Sequence, residues 1–145
     1  MIYLDSSAAV KLVHAEPETR ALQGWLDERA DVSWVSSVLV EVESYRALAR
    51  HAPDAASRLP AVLDLVDVVE LTPQIRSIAC TVRPVGVRSL DAIHLATALQ
   101  FGDRLTAFIA YDMRLADAAR AAGLPVEVPV SPPQQPGTAL GLHPF

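Results

Sequence analysis

Short apolar runs of strand length alternate with longer amphipathic stretches through most of this chain, and no other feature constrains its fold as strongly. Residues 2–4, 32–35, 68–71, 106–110 and 126–128 read as strands. Between them, residues 8–14, 16–29, 38–51, 55–66, 73–82, 89–99 and 113–122 carry helical periodicity. Strands separated by helices close into an α/β layer fold. The expectation is a single domain with a mostly parallel central sheet of four to five strands flanked by helices. In such sheets ligands bind beyond the C-terminal ends of the strands. The residues that follow each strand therefore carry the functional argument.

Local signals support the division. Thr72-Pro73 places a capping hydroxyl before a proline at the first helical position. Gly123 follows residues 113–122 as a left-handed stop. The segment 89–99 is apolar almost all round, so it is expected to be a buried helix, with Ser89 as its N-cap and Asp91 in its first turn. The last residues are rich in Pro and Gly without periodicity. The expected boundaries are a folded domain over 1–130 and an irregular tail over 131–145.

The chain has 145 residues, enough for one domain with a sizeable core. No apolar run approaches the ~18 residues of a membrane span. No basic segment precedes the first strand, so no signal peptide is expected. Cys80 is the lone cysteine, which excludes an internal disulfide and a Cys-rich zinc site. It is expected to pack inside a helix. Together these point to a soluble, cytoplasmic protein. The net charge of −5 argues against a broad basic surface that binds nucleic acid by charge alone. The basic residues are nevertheless almost all arginine, with Lys11 the one lysine. Arginine's planar fork suits bidentate contact with phosphate.

Three acids stand where strands end or where helices begin. Asp5 closes the first strand, Asp112 follows residues 106–110, and Asp91 heads the apolar helix. Taken singly, each also fits as an N-cap or first-turn acid. The helix over 38–51 offers Glu41 and Glu43, which point about 160° apart. Val38, Val42, Tyr45 and Ala49 form its expected core stripe. Glu43 lies beside that stripe, about 60° from Arg46 and 20° from Arg50. It is preferred because it shares a face with two guanidiniums.

Carboxylates gathered at one end of a sheet repel each other unless a divalent cation sits among them. An all-oxygen donor set favours Mg²⁺, with Mn²⁺ possible, over zinc. The chemistry natural to such a centre is phosphodiester hydrolysis by water. Arg46, Arg50, Arg88 and Arg114 are candidates for contacts to backbone phosphates.

In order and context these acids resemble the PIN-domain nucleases, most closely the VapC-type ribonuclease toxins of bacterial toxin–antitoxin pairs. The resemblance rests on Tyr3-Leu4-Asp5-Ser6-Ser7, on residues 37–43 with Arg46-Ala47-Leu48-Ala49-Arg50, and on residues 88–96, which hold Asp91-Ala92-Ile93-His94. Ala110-Tyr111-Asp112-Met113-Arg114-Leu115 and Gly123-Leu124-Pro125-Val126 complete it. The stretch around Asp91 is the most specific piece. The resemblance implies acidic metal ligands at Asp5, Glu43, Asp91 and Asp112, with Ser6 or Ser7 as a hydroxyl near the metal. It also implies a Mg²⁺- or Mn²⁺-dependent endoribonuclease acting on cellular RNA, a homodimer, and inhibition by a cognate antitoxin protein. Ala110 departs from the family's usual threonine, which makes Asp112 the least supported of the four. Asp117, one turn on, is expected to be plain surface.

Other readings fit less well. A phosphoacceptor domain would need paired acids after the first strand and a late lysine. An Asp-x-Asp phosphatase fails at Ser7. The remaining alternative is a catalytically inactive PIN fold that binds RNA or protein. His94 is expected to orient a neighbour through a hydrogen bond rather than to ligate metal. Trp25 and Trp34 are expected in the core or an interface.

Overall fold

The computed structural model describes residues 1–133. The expected tail, from 134 onward, lies outside the described residues. Five strands form one parallel sheet: β1 (Ile2–Leu4), β2 (Trp34–Ser37), β3 (Val66–Val69), β4 (Ala107–Ile109) and β5 (Val126–Glu127). Their order across the sheet is β3-β2-β1-β4-β5. Every neighbouring pair is parallel. The expectation of four to five mostly parallel strands is met in full.

Strand alternation divides the core into two layers. Tyr3 and Phe108 point to one face, where they meet Leu95, Leu115 and Ala119. Tyr3 and Phe108 are partners in the β1–β4 register, and their rings stack 4.9 Å apart. Ile2, Leu4, Ala107 and Ile109 point to the other face, against Ala8, Leu22 and Leu26. The helices are α1 (Ser6–Val13), α2 (Thr19–Asp27), α3 (Leu39–His51), α4 (Leu59–Leu63), α5 (Pro73–Thr81), α6 (Ser89–Leu99) and α7 (Met113–Ala121). α6 runs against β2 and α5, and α1 packs on α3.

Several boundaries differ from those read in the sequence, each for a local reason. α2 starts at Thr19 rather than at residue 16. The Glu16 N–H donates to Thr19 Oγ1, whose hydroxyl donates to the Lys11 carbonyl, so the turn between α1 and α2 is pinned before the helix can begin. The expected helix over 55–66 is a 3-10 segment, Pro53–Arg58, followed by the short α4. Pro60 sits in the first turn of α4, where its missing N–H costs nothing, but it cannot continue a helix from upstream. Ser36 and Ser37 end β2 instead of opening α3. Ser89 is the first residue of α6 and not its cap. Arg88 holds the cap position, with no side-chain capping bond. Cys80 is exposed on α5, not packed inside. Thr72 caps α5 through Ile75 N–H, and Gly123 takes φ +84° after α7, both as expected.

The expected core stripe of α3 is wrong. Val40, Ser44 and Leu48 are buried, while Val42 and Tyr45 are exposed. The i, i+4 row through Ser44 faces the core, and the more apolar row through Val42 and Tyr45 faces out.

Candidate active site

The chain winds outward from β1 to β2 and β3, then crosses to β4 and β5 on the other side. The order in which strands are added therefore reverses between β1 and β4. All strands being parallel, their C-terminal ends share one edge, and a crevice opens at the reversal. Asp5 follows β1 there, and its N–H donates to Ile109 O, the last residue of β4, at 3.1 Å. Asp112 follows β4 as the N-cap of α7. α3 and α6 bring in Glu43 and Asp91. The four carboxylates line one cleft of about 270 Å³, together with Ser6, Ser7 and His94 among other residues.

Asp5 is 3% exposed. Its Oδ1 accepts from the Ala8 N–H at 3.0 Å, the capping bond of α1, and from the Ser7 hydroxyl at 2.6 Å. Ser7 Oγ in turn accepts from the Tyr111 N–H at 2.8 Å. One hydroxyl thus ties the acid after β1 to the segment after β4. Burial pushes the Asp5 carboxyl up to about 6, against the opposing pull of the Ser7 and Ala8 bonds and of nearby His94. Asp91 is also raised, by burial and then by the charge of Asp112. Asp112 Oδ1 accepts from the Arg114 and Leu115 N–H groups and caps α7.

Glu43 reaches the cleft for a reason the helical wheel did not supply. Among the described residues it makes no ion pair with Arg46 or Arg50. Its Oε1 lies 2.6 Å from His94 Nε2. His94 is 1% exposed, and its Nδ1 lies 2.6 Å from the Tyr3 hydroxyl, which also accepts the Ser37 N–H at 3.1 Å. His94 thus makes the hydrogen bond to a neighbour that is expected of it. Its signals in the sequence are the i, i+3 spacing from Asp91 on one helix face and the hydroxyl of Tyr3 inside β1.

The arginines divide. Arg88 and Arg114 line a second cleft, which shares Asp91 with the first. Arg46 and Arg50 are exposed on α3 and line neither cleft. Asp117 pairs with Arg120 at 3.0 Å and lines only the second cleft. Sequence reasoning missed Lys11 and Glu16, which line the first cleft. Lys11 lies one turn after Ser7 on α1, and that i, i+4 spacing was the available signal.

The donor chemistry suits a hard divalent cation. The acids at the cleft are oxygen donors, and burial and mutual charge hold Asp5 and Asp91 toward their protonated forms, a strain that a cation relieves. Among the described residues, no three His, Cys, Asp or Glu side chains are drawn close enough to grip an ion as they stand. Glu43 is turned to His94 and Asp112 to the start of α7. The acids line the cleft without closing on one point.

Comparison with known proteins gives a consistent picture. Residues 2–121 match the PIN domain family. The chain is 46% identical over 131 residues to Ribonuclease VapC35 of Mycobacterium tuberculosis, covering 89% of this chain and 97% of that one. Its fold is similar to that of M. tuberculosis VapC20, a toxin described as cleaving the sarcin-ricin loop. That match has a TM-score of 0.69 at 20% identity, over 86% of this chain and 96% of the other. It is also similar to a chain of a toxin–antitoxin complex from Klebsiella pneumoniae, with a TM-score of 0.63 at 18% identity, over 79% and 88% of the two chains.

Proposed function

The chain belongs to the PIN domain family, and from that premise we propose that it is a metal-dependent endoribonuclease, the toxin of a toxin–antitoxin pair. The observation that carries this reading is the convergence of Asp5, Glu43, Asp91 and Asp112 on one cleft at the sheet reversal. Its support from outside the chain is 46% identity to a ribonuclease over nearly the full length of both proteins. Retention of all four acids weighs against a binding-only PIN fold.

Asp5, Asp91, Glu43 and Asp112 are the proposed ligands, for Mg²⁺ or Mn²⁺. When bound, such a cation supplies the positive charge that makes water acidic enough to attack phosphorus and offsets the charge building on the phosphodiester oxygens. The rest is the work of the chain. Ser7 fixes the Asp5 carboxylate by donating to Oδ1, so that acid does not have to be ordered during turnover. His94 holds Glu43 from behind and receives its own support from Tyr3. Asp112 is fixed by the α7 backbone.

The proposed partners are RNA, a cognate antitoxin and a second copy of the chain. The fold neighbour from K. pneumoniae was solved in a toxin–antitoxin complex. Val42 and Tyr45 leave an apolar row of α3 uncovered, a surface suited to one of the protein partners. Among the described residues no helix is long and apolar enough to cross a membrane, and the cytoplasm, where RNA and antitoxin both occur, is the proposed site of action.

The test is cleavage of cellular RNA by the purified protein with Mg²⁺, with Mn²⁺ and with chelator, read by mapping new 5′ ends. Discrete cuts that need the metal and vanish in Asp5→Asn and Asp91→Asn are expected. Full metal-dependent cleavage by both variants would overturn the assignment of the site. Co-expression with the neighbouring small open reading frame should relieve growth arrest if that frame encodes the antitoxin.

A further inference from the structure

The second cleft adjoins the acidic one and differs from it in charge: Arg88 and Arg114 balance Asp91 and Asp117 there, whereas five acids face one lysine in the first. Its volume is about 390 Å³, within the ~300–1,000 Å³ range of small-ligand clefts. Arg88, from the loop before α6, and Arg114, from the first turn of α7, both line it. Among the described residues neither guanidinium makes an ion pair or a side-chain hydrogen bond. Arg58 is held by the Val13 carbonyl at 2.8 Å and Arg120 by Asp117 at 3.0 Å, while Arg46 and Arg50 are unpaired among the described residues but line neither cleft. Asp91 belongs to both clefts, so the two are continuous across one carboxylate.

A phosphodiester chain lying in the acidic cleft cannot stop there. Its next phosphates must leave past an exit, and the chain as a whole carries a net charge of −5. Only one of the two arginine pairs suggested by the sequence stands at such an exit. We infer that Arg88 and Arg114 form a phosphate-binding subsite for the RNA strand one step beyond the cleavage centre, and that Arg46 and Arg50 take no part in it. This rests on the nuclease reading above and adds the path of the substrate to it. Two forks facing one groove suit bidentate capture of a backbone phosphate. The contact is to the backbone, so it positions the strand without reading its sequence.

The experiment uses the full chain and a short fluorescein-labelled single-stranded RNA. Binding is followed by anisotropy with Ca²⁺ in place of Mg²⁺, across a series of salt concentrations. Arg88→Gln with Arg114→Gln should weaken binding roughly ten- to hundred-fold. Because two phosphate contacts are lost, the slope of log affinity against log salt should fall by about 1.4. The double variant Arg46→Gln with Arg50→Gln should leave both affinity and slope unchanged. Cleavage by the first pair in Mg²⁺ should show a raised KM with kcat largely kept. Equal slopes for the first pair and wild type, or a larger effect from the second pair, would overturn the subsite. A wild-type protein that neither binds nor cuts RNA overturns the nuclease reading itself, which is a separate result.

Discussion

His94 Nε2 lies 2.6 Å from Glu43 Oε1, on an imidazole that is 1% exposed and braced on its far side by the Tyr3 hydroxyl. One assignment of the protons gives each of these contacts a donor and an acceptor. The Ser37 N–H donates to the Tyr3 oxygen, Tyr3 O–H donates to Nδ1, and Nε2–H is left to donate to Glu43. His94→Leu removes the donor to Glu43 and strands the buried Tyr3 hydroxyl. The expected cost is ~1–3 kcal/mol of stability from the stranded group and ~10–100-fold in metal affinity from loss of a supporting bond. His94→Gln, which can still donate to Glu43, should recover much of the affinity. Denaturant unfolding and calorimetric Mn²⁺ titration read the two effects separately. Unchanged Mn²⁺ affinity in His94→Leu would show that Glu43 needs no such support.

Asp5 makes the metal-free protein sensitive to pH. Burial raises its carboxyl from an ordinary 3.8 to about 6. The folded state therefore holds a proton that the unfolded state releases. Stability from this group is complete below pH 3.8 and is lost as pH rises through 6. The displacement corresponds to on the order of 3 kcal/mol. In chelator, unfolding midpoints should fall between pH 4 and 7, and added Mg²⁺ should restore them at pH 7. Asp5→Asn keeps a capping side chain and removes the charge. It should be more stable than wild type at pH 7 in chelator, with a flatter profile. A wild-type profile as flat as that of Asp5→Asn would remove Asp5 as the cause.

Ser7→Ala separates the hydroxyl from the carboxylate. Ser7 Oγ donates to Asp5 Oδ1 at 2.6 Å and accepts the Tyr111 N–H at 2.8 Å. The variant leaves that N–H without its partner, at ~1–3 kcal/mol. It also removes a bond that pulls the Asp5 carboxyl down, so the pH-dependent loss of stability should move to higher pH. Chelated Ser7→Ala unfolded across the same pH series checks both. A profile that keeps the wild-type midpoint would show that the hydroxyl does not act on Asp5.

Much of this layout is legible in the sequence, and what is not has physical causes. The strands were readable because each is short, apolar and followed by a polar break, as at Leu4-Asp5. Asp5 and Asp112 were readable because parallel strands put both acids at one edge. The wheel of α3 fails because its buried row contains Ser44, whose Oγ has no hydrogen-bond partner among the described residues, while the more apolar Val42 and Tyr45 face outward. Hydrophobicity alone cannot tell a core stripe from an exposed apolar face. The arginine neighbours of Glu43 single it out in the sequence, yet what holds it is a histidine on another helix, 51 residues away. Contacts of that range leave no local pattern. Lys11 escaped notice because a buried lysine is rare and its partners lie in a turn.

Lys11 yields the last prediction. Its Nζ lies 2.6 Å from Glu16 Oε2, 3.1 Å from Glu18 Oε2 and 4.6 Å from the centre of the Tyr111 ring. Burial works to lower its pKa, but the two carboxylates outweigh burial and raise it, while Glu18 is lowered in return, chiefly by its hydrogen bond to Lys11. The lysine side chain is 9% exposed and the acids about a third. The clamp therefore falls between an exposed pair at ~0–1 kcal/mol and a buried one at ~3–5 kcal/mol. Lys11→Met should cost about 1–2 kcal/mol at pH 7 on that scale. Because Glu18 is lowered, its share is present above the ordinary carboxylate range and lost as pH falls through its folded value. The gap between Lys11→Met and wild type should then narrow at acid pH. The variant also leaves Glu16 uncompensated beside the cleft, so RNA binding should weaken although no arginine has changed. Unfolding curves at neutral and acid pH, with anisotropy on the same samples, test both effects. Equal stability at neutral pH would mean the ion pairs contribute nothing to the fold. Equal RNA affinity would mean the charge of Glu16 does not reach the substrate.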